Sequence, residues 1–318
     1  MIKILVALDG SELSEQTLLH AAAIGKSFDS ELLLLRVISA DEKGVRSAVD
    51  AVDWQLHRRQ AEAYLMRLTE DLRTAGLNTS WRLEEGNAAN RLICFTRQND
   101  IDLIILGALG RSGIGQFARG GTVQKVVSAA TTSVLIAAPV MEDEQFSDLH
   151  YKRILVPVDG SCGSKWALNM ATAVAEIHDA ELILVQMIAR PEFQTTMPNL
   201  REKQDLLEKI IRINRMEAEH HMRELKAKLP ANLKVTTEII VTDHAPHAIN
   251  EMADARDVSL VVLSAHSDRH TSGWRYGPVP EFLLAHTNRP ILVFQHDSSL
   301  VASKFRSIYL PDNHAHAS

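Results

Sequence analysis

Short apolar runs recur along the chain, and longer stretches with helical spacing separate them. In the first half these runs are continuous rather than alternating, which is typical of strands in a parallel sheet covered by helices on both faces. They predict strands at residues 2–8, 31–38, 79–85, 101–106 and 133–137. Strands that alternate with helices through short connections favour a doubly wound, Rossmann-like α/β domain.

Two of the intervening stretches carry apolar residues three or four positions apart, the spacing of an amphipathic helix. The residues with this spacing are Val49, Val52, Leu56, Ala63 and Met66 in the first half, and Leu206, Ile210 and Ile213 in the second. Gly76 and Pro230 are predicted to end these two helices.

The second half of the chain repeats the first. Four segments recur in the same order: Lys3–Ser11 as Arg153–Ser161, Glu31–Ile38 as Glu181–Ile188, Asp102–Gly107 as Ser259–Ser264, and Ser133–Ile136 as Pro290–Val293. The offset is 150 residues for the first two pairs and 157 for the third. A repeat of this length indicates duplication, so we expect two α/β domains, each with a five-stranded parallel sheet.

The segments also suggest where the domains end. We assign the first domain to residues 1–139, a charged linker to 140–150, the second domain to 151–296 and a tail to 297–318. Unpaired strand edges invite pairing, and the last strand of each domain should therefore lie at an interface within one pseudo-dimeric chain, with a further homodimer as an additional expectation.

Composition narrows the classes of function. The 318 residues include 34 Lys and Arg against 40 Asp and Glu, for a formal charge of −6. That sign is wrong for broad binding to nucleic acid. Cys94 and Cys162 fall in different halves and exclude a disulfide scaffold. No apolar run is long enough to span a membrane. We expect a cytoplasmic protein that binds neither DNA nor membrane.

Candidate chemistry lies where the strands end, because open α/β sheets bind ligands at the carboxyl ends of their strands. Asp9 follows the first strand, and it is either a turn residue or an acceptor for a ligand hydroxyl or adenine amino group. The fourth strand leads into Gly107, Gly110, Gly113, Gly120 and Gly121, ahead of a helix that begins near Thr122. Successive glycines and a helix start favour an anion site, with a merely flexible glycine-rich loop as the alternative.

These features together resemble the universal stress protein family. The resemblance rests on Asp9, Val37 and the pattern Gly107-x-x-Gly110-x(10)-Gly121-Thr122, and it covers residues 1–139 and 151–295. The family's usual spacing before the Gly-Ser/Thr pair is nine residues, so this loop is one residue longer if Gly121-Thr122 is that pair.

The resemblance implies that the first domain binds ATP, with Mg²⁺ or Mn²⁺. By analogy Asp9 meets the adenine or ribose, the Val37 backbone contacts adenine and the glycine-rich segment holds the phosphates. The binding residues so implied are Ala7, Asp9, Val37, Gly107, Gly110, Arg111, Gly113, Gly120, Gly121, Thr122 and Val123.

The second domain departs from this pattern. Ser264 replaces the first glycine of the loop, Asp268 adds a negative charge, and Pro278 removes both an N–H and a hydroxyl. Met187 stands in place of Val37. We expect ATP binding to be impaired there. The cleft either accepts a different small ligand with a large apolar part, or is closed by Trp274 and Tyr276.

A zinc site is a weaker hypothesis for the second domain. His244, His266 and His270 follow neighbouring strands, and histidines with nearby aspartates suit Zn²⁺. The alternative is that these are solvent-facing loop histidines.

Taken together, the sequence predicts a stress-associated, ATP-binding regulatory protein with nucleotide in the first domain only. Two alternatives stay open. One is a pseudo-dimeric scaffold that binds no nucleotide. The other is a protein with slow ATP hydrolysis or autophosphorylation, for example at Ser112. Because no dedicated general base is evident, we expect no catalytic residues and at most weak turnover.

Overall fold

All five strands predicted for the first half are present in the computed structural model of the chain. The structure describes residues 1–28, 30–39, 50–108, 121–139, 149–191, 200–265 and 277–295. The elements of the first half are β1 (Ile2–Leu8), α1 (Glu12–Glu15), α2 (Thr17–Ser27), β2 (Ser30–Ile38), α3 (Asp50–Thr74), β3 (Asn78–Glu85), α4 (Ala88–Gln98), β4 (Leu103–Gly107), α5 (Thr122–Ala129) and β5 (Ser133–Ala137).

The second half has the same alternation of strands and helices. Its elements are β6 (Arg153–Pro157), α6 (Cys162–His178), β7 (Glu181–Ile188), α7 (Leu200–Lys228), β8 (Val235–Val241), α8 (Ala245–Ala255), β9 (Leu260–Ser264), α9 (Pro278–His286) and β10 (Ile291–Phe294). The predicted fold class, a doubly wound α/β architecture built twice, is confirmed.

The chain forms two compact units. The first contains the elements of residues 1–150 together with β10, in the strand order β3-β2-β1-β4-β5-β10. Neighbouring strands run parallel except at β10, which pairs antiparallel with β5 through Leu292 opposite Leu135. The predicted pairing of the two final strands is therefore confirmed.

The second unit contains β6 to β9 in the order β9-β6-β7-β8, all parallel. In both units the strand that opens the repeat lies between the second and the fourth strand of that repeat. Strand order reverses at this point, which in open α/β sheets is where a crevice forms at the carboxyl edge. The domain boundaries at 139, 150 and 296 stay predictions, since residues 140–148 and 296–318 lie outside the described part.

The central strands are buried along their length, as continuous apolar runs predict. All five residues of β5 and the first four of β4 are buried. β3, at the edge of the sheet, is more exposed than its neighbour β2. Within the described residues, no helix is both long and apolar enough to cross a membrane.

The long helix α3 exists as predicted, but the described apolar residues that indicated it do not form its packed face, and Val49 lies outside the described residues. Val52, Leu56 and Met66 are 76%, 54% and 58% exposed. The buried stripe consists instead of Ala61, Leu65, Leu68 and Leu72. Several stripes with spacing of three or four fit one 25-residue helix, and packing against the sheet selects among them.

In α7, too, the packed face differs from the one predicted. Both helices end close to the predicted residues, Gly76 and Pro230. Leu206 and Ile213 are exposed, while Ala218, Met222 and Leu225 are buried. Gly76 ends α3 with a φ of +83° and donates its N–H to the Arg73 carbonyl at 2.9 Å, the left-handed termination that glycine favours.

Candidate functional site

Hydrogen bonds within the turn after β1 hold the carboxylate of Asp9 in place. Asp9 Oδ1 accepts hydrogen bonds from the Ser11 backbone N–H at 2.9 Å and from the Ser11 hydroxyl at 2.6 Å. Ser11 Oγ in turn accepts from the Ser14 N–H at 3.1 Å and so caps α1. Gly10 has a φ of +82°, a conformation that glycine adopts without steric cost. The turn role considered for Asp9 is confirmed, and its role towards a ligand stays a prediction.

A buried cation packs against this turn. Arg36 of β2 is 8% exposed, and a Cβ placed on Gly10 would lie 2.7 Å from the Arg36 Cζ. The guanidinium also lies over the ring of Tyr64 in α3, with Cζ 5.1 Å from the centroid, within cation–π range. Burial raises the pKa of the Tyr64 phenol, and the charge of Glu15 raises it further. The tip of β1 is therefore backed by a positive charge in a poorly solvated place.

The β1 tip lies beside the other strand ends that the sequence singled out. Because β1 and β4 are parallel neighbours, with Val6 opposite Ile105, Asp9 and Gly107 follow at the same edge of the sheet. The ladder between β1 and β2 ends at Leu8 and Arg36, so Val37 extends one residue past the end of β1. Ala7 is the second-to-last residue of that strand.

The helix α5 begins without a side-chain cap. Its N-cap is Gly121, in extended conformation with φ −65° and ψ 160°, and no side chain there accepts from the first turn. The first two residues, Thr122 and Val123, each carry a backbone N–H, and the Lys125 N–H already donates to the Gly121 carbonyl at 3.1 Å. Uncapped N–H groups and the positive end of the helix dipole favour an anion.

Part of the predicted site lies outside the described residues. Gly110, Arg111, Gly113 and Gly120 belong to that part. The structure describes the others, Ala7, Asp9, Val37, Gly107, Gly121, Thr122 and Val123, at strand ends and at one helix start. Their contact with a nucleotide stays a prediction.

The second repeat keeps the turn but changes what packs against it. Asp159 Oδ1 accepts from the Ser161 N–H at 3.0 Å, and Gly160 has a φ of +81°. The side chain near Gly160 is now His221 of α7, whose Nδ1 lies 3.1 Å from Oε1 of Gln186 in β7. Burial is the main cause that lowers the pKa of His221 below its ordinary value. A neutral amide has thus replaced the fixed cation of the first repeat.

The helix α9 also differs from α5. Its N-cap is Gly277, but its first and third residues are Pro278 and Pro280. Proline has no backbone N–H, so among the first three positions only Val279 keeps a donor. Glu281 adds a carboxylate to the same turn. This helix start is far less suited to an anion than that of α5.

The histidines do not form a metal cluster in the described part of the chain, where no group of three or more His, Cys, Asp or Glu residues could hold an ion. The rings of His244 and His247 meet edge to face, with centroids 6.0 Å apart. His266 and His270, as well as Asp268, Trp274 and Tyr276, lie outside the described residues.

Comparison with known proteins agrees with this geometry. The model of the universal stress protein family matches residues 1–138 and 150–295. The chain belongs to the universal stress protein family. It carries two tandem copies of that domain.

Individual relatives support the same assignment. A universal stress protein of Methanocaldococcus jannaschii is 25% identical over 136 residues, which is 42% of this chain and 80% of that protein. One from Synechocystis is 27% identical over 147 residues, 42% of this chain and 96% of that protein. A crystal structure of a universal stress protein from Archaeoglobus fulgidus covers 92% of this chain and 98% of its own, at 18% identity and a TM-score of 0.63. This last likeness shows the fold.

Sequence reasoning missed the residues that pack against the two turns. Arg36 and Gln186 are 150 positions apart, and Tyr64 and His221 are 157 apart, the offsets of the repeated segments. The repeated segments Glu31–Ile38 and Glu181–Ile188 already align Arg36 with Gln186, so the change of charge was visible in the sequence although its position behind the turn was not.

Proposed function

We propose that this universal stress protein is an ATP-binding regulatory protein whose first repeat holds one nucleotide and whose second repeat holds none. The adenine and ribose would lie against Asp9 and the Val37 backbone, and the phosphates against the start of α5 and the glycine-rich segment before it. The bound nucleotide then acts as a signal, because it changes the surface that a partner contacts.

The observation that carries this proposal is the start of α5, where the N-cap is a glycine without a capping side chain and Thr122 and Val123 each carry a backbone N–H. This helix follows β4, so its N-terminus belongs to the carboxyl edge of the sheet, the same edge as Asp9. The buried Arg36 lies behind the β1 tip, on the side proposed for the adenine and ribose.

A divalent cation accompanies the phosphates in this proposal. Mg²⁺ and Mn²⁺ both prefer oxygen ligands, and phosphate oxygens supply them. Thr122, the first residue of α5, is the hydroxyl that the family pattern places beside them. The described residues assign no general base to the site, so the proposal includes no turnover.

Calorimetric titration of the nucleotide-free, full-length chain with ATP and Mg²⁺ tests the proposal, and we expect one ATP per chain. Gly110→Asp should abolish binding, because it adds a negative charge beside the phosphates at a cost of several kcal/mol. Ser267→Asp makes the same change at the equivalent position, 157 residues later, and should leave the affinity unchanged.

The other outcomes separate the alternatives. Two ATP molecules per chain, or equal losses in the two variants, would contradict the asymmetry. The absence of any binding would favour the pseudo-dimeric scaffold. Release of phosphate or labelling of the protein by radioactive ATP would favour slow hydrolysis or autophosphorylation.

A further inference from the structure

A cavity of about 210 Å³ lies at the carboxyl edge of the second repeat. Its walls come from the ends of β6, β7 and β9 and from the starts of α8 and α9. Asp159, Met187, Ser264 and Pro278, which line it, are the counterparts of Asp9, Val37, Gly107 and Thr122. The second repeat therefore keeps a space where the first repeat is proposed to hold nucleotide.

The lining of this space is mainly apolar. Side chains of valine, leucine, isoleucine, methionine, alanine and proline make up most of it, and the polar side chains among the described lining residues are Asp159, Ser164 and Ser264. Ser164 is buried and donates its hydroxyl to the Ser161 carbonyl at 3.0 Å. Such a cavity favours a ligand with an apolar body and few polar groups.

The charges and donors at the cavity select against an anion. Both helices that start here carry proline in their first turn: Pro246 in α8, and Pro278 and Pro280 in α9. The missing N–H groups leave a phosphate or carboxylate with fewer partners than it has in water, which costs free energy. The Asp159 carboxylate adds repulsion, whereas it suits an alcohol or an ammonium group.

The size of the cavity limits the apolar body to about one ring. An engineered protein cavity of about 150 Å³ accepts benzene, so 210 Å³ has room for one ring and a short substituent. We propose that the second repeat binds a single-ring, uncharged or cationic small molecule, with its ring between Met187, Ile249 and Val279 and its hydroxyl or amine on Asp159. This site does not depend on nucleotide binding in the first repeat.

Three single-ring probes of similar size and different head groups test the proposal: benzyl alcohol, benzylamine and benzoate. We would titrate the full-length chain, labelled with ¹³C at the methionine methyls, and follow the Met187 signal, assigned with Met187→Leu. The amine and the alcohol should shift this signal saturably, and benzoate should bind at least tenfold more weakly. Equal binding of benzoate, or no shift with any probe, would overturn the proposal.

Two variants of α8 provide a matched control. Ala245 lines the cavity and Ala248 does not, although both are half-buried. Ala245→Leu should fill the cavity and weaken benzylamine at least tenfold, while Ala248→Leu should leave it unchanged. Asp159→Asn keeps the oxygen that accepts from Ser161 and lies at an exposed position. It should weaken benzylamine more than benzyl alcohol. Equal losses in the two alanine variants would refute the site.

Discussion

The two repeats share a backbone framework and differ in what surrounds its ligand edge. Both open with an Asp-Gly-Ser turn in which the aspartate accepts from the serine N–H and the glycine has a left-handed φ. Arg36 packs against the first turn and against the ring of Tyr64, whereas His221 packs against the second turn and contacts Gln186. The two repeats thus share the geometry of the turn and differ in the charge of the side chains behind it.

The two units also differ in their interiors, where one buried polar side chain of the first repeat has an apolar counterpart in the second. His20 in α2 is 1% exposed, and its Nε2 lies 3.0 Å from the Ala138 carbonyl oxygen, to which it donates. The equivalent residue 150 positions later, Met170, is equally buried. The first repeat therefore contains an imidazole that is stable in the interior only while it is neutral. The second repeat has the thioether of Met170 at the same position, and a thioether does not titrate.

The largest effect should come from transplanting the start of α9 onto α5. Thr122→Pro/Gln124→Pro removes two N–H groups, and hydrogen bonds to charged acceptors contribute about 1.5–3 kcal/mol each. We expect ATP affinity to fall roughly a thousandfold, about 4 kcal/mol, in a calorimetric titration. Proline is tolerated in the first turn of a helix, as α9 itself shows.

A single substitution, Thr122→Val, serves as the control because it removes the hydroxyl and keeps the N–H. It should cost much less affinity than the double proline variant. If the ATP affinity of the double variant stays within tenfold of that of the unmodified chain, the backbone donors of α5 do not hold the phosphates. The difference between α5 and α9 would then not explain unequal ATP binding.

Acid should destabilise the chain through His20. Burial lowers the pKa of His20 from 6.5 to about 4, so the unfolded chain takes up this proton first as the pH falls. The stability of the folded chain that depends on a neutral His20 is full above pH 6.5 and is lost progressively between pH 6.5 and pH 4. Urea unfolding should show a loss of about 2 kcal/mol between pH 7 and pH 5, and about 3 kcal/mol by pH 4.

His20→Met copies the residue of the second repeat and should remove this part of the pH dependence. Hydrogen exchange between pH 7 and pH 5, corrected for intrinsic rates, should show the loss of protection in α2 and not in α6. An unchanged pH dependence in His20→Met would show that other groups cause the acid sensitivity.

A smaller effect distinguishes the two glycine turns. Gly10→Ala and Gly160→Ala both place a Cβ at positive φ, which costs about 1–2 kcal/mol. At Gly10 the new Cβ also meets the Arg36 guanidinium at 2.7 Å, whereas at Gly160 the nearest His221 atom is 3.8 Å away. We expect Gly10→Ala to lower the free energy of unfolding by about 1 kcal/mol more, within the usual range for overpacking.

A double-mutant cycle identifies the cause of that difference. Arg36→Gln introduces the residue found in the second repeat, and in its presence Gly10→Ala should cost no more than Gly160→Ala does. If the extra cost persists, Arg36 is not what makes the first turn tighter.

The smallest effect concerns exposed ion pairs. Asp257 contacts Arg289 at 3.1 Å and Arg153 at 2.8 Å, and hydrogen bonds from these two arginines lower its pKa. Because Asp257 is solvent-exposed, the pairs are screened. Asp257→Asn and Asp100→Asn, at the equivalent position, should shift the urea midpoint equally little at physiological salt. A clearly larger shift for Asp257→Asn would assign stability to this ion-pair group.

Much of the fold followed from local pattern, because continuous apolar runs and glycine positions act over a few residues. All strands of the first repeat and the ends of α3 and α7 were predicted within about two residues. The packed face of α3 was not, since Val52 and Leu56 satisfy helical spacing as well as Leu65 and Leu68 do. Only contact with the sheet separates such stripes.

The amino-acid sequence by itself determined the duplication, the α/β alternation, the Asp-Gly-Ser turns and the proline difference between α5 and α9. Tertiary structure alone decided which side chains stand behind the turns. Arg36 and Tyr64 are 28 positions apart in the sequence and meet only because α3 crosses the sheet beside β2. Likewise, nothing local to His20 or Met187 marks the one as buried or the other as lining a cavity, because burial depends on residues distant in sequence. The charge that lies behind a backbone edge common to both repeats is therefore decided by packing, and the pattern along the chain records only part of it.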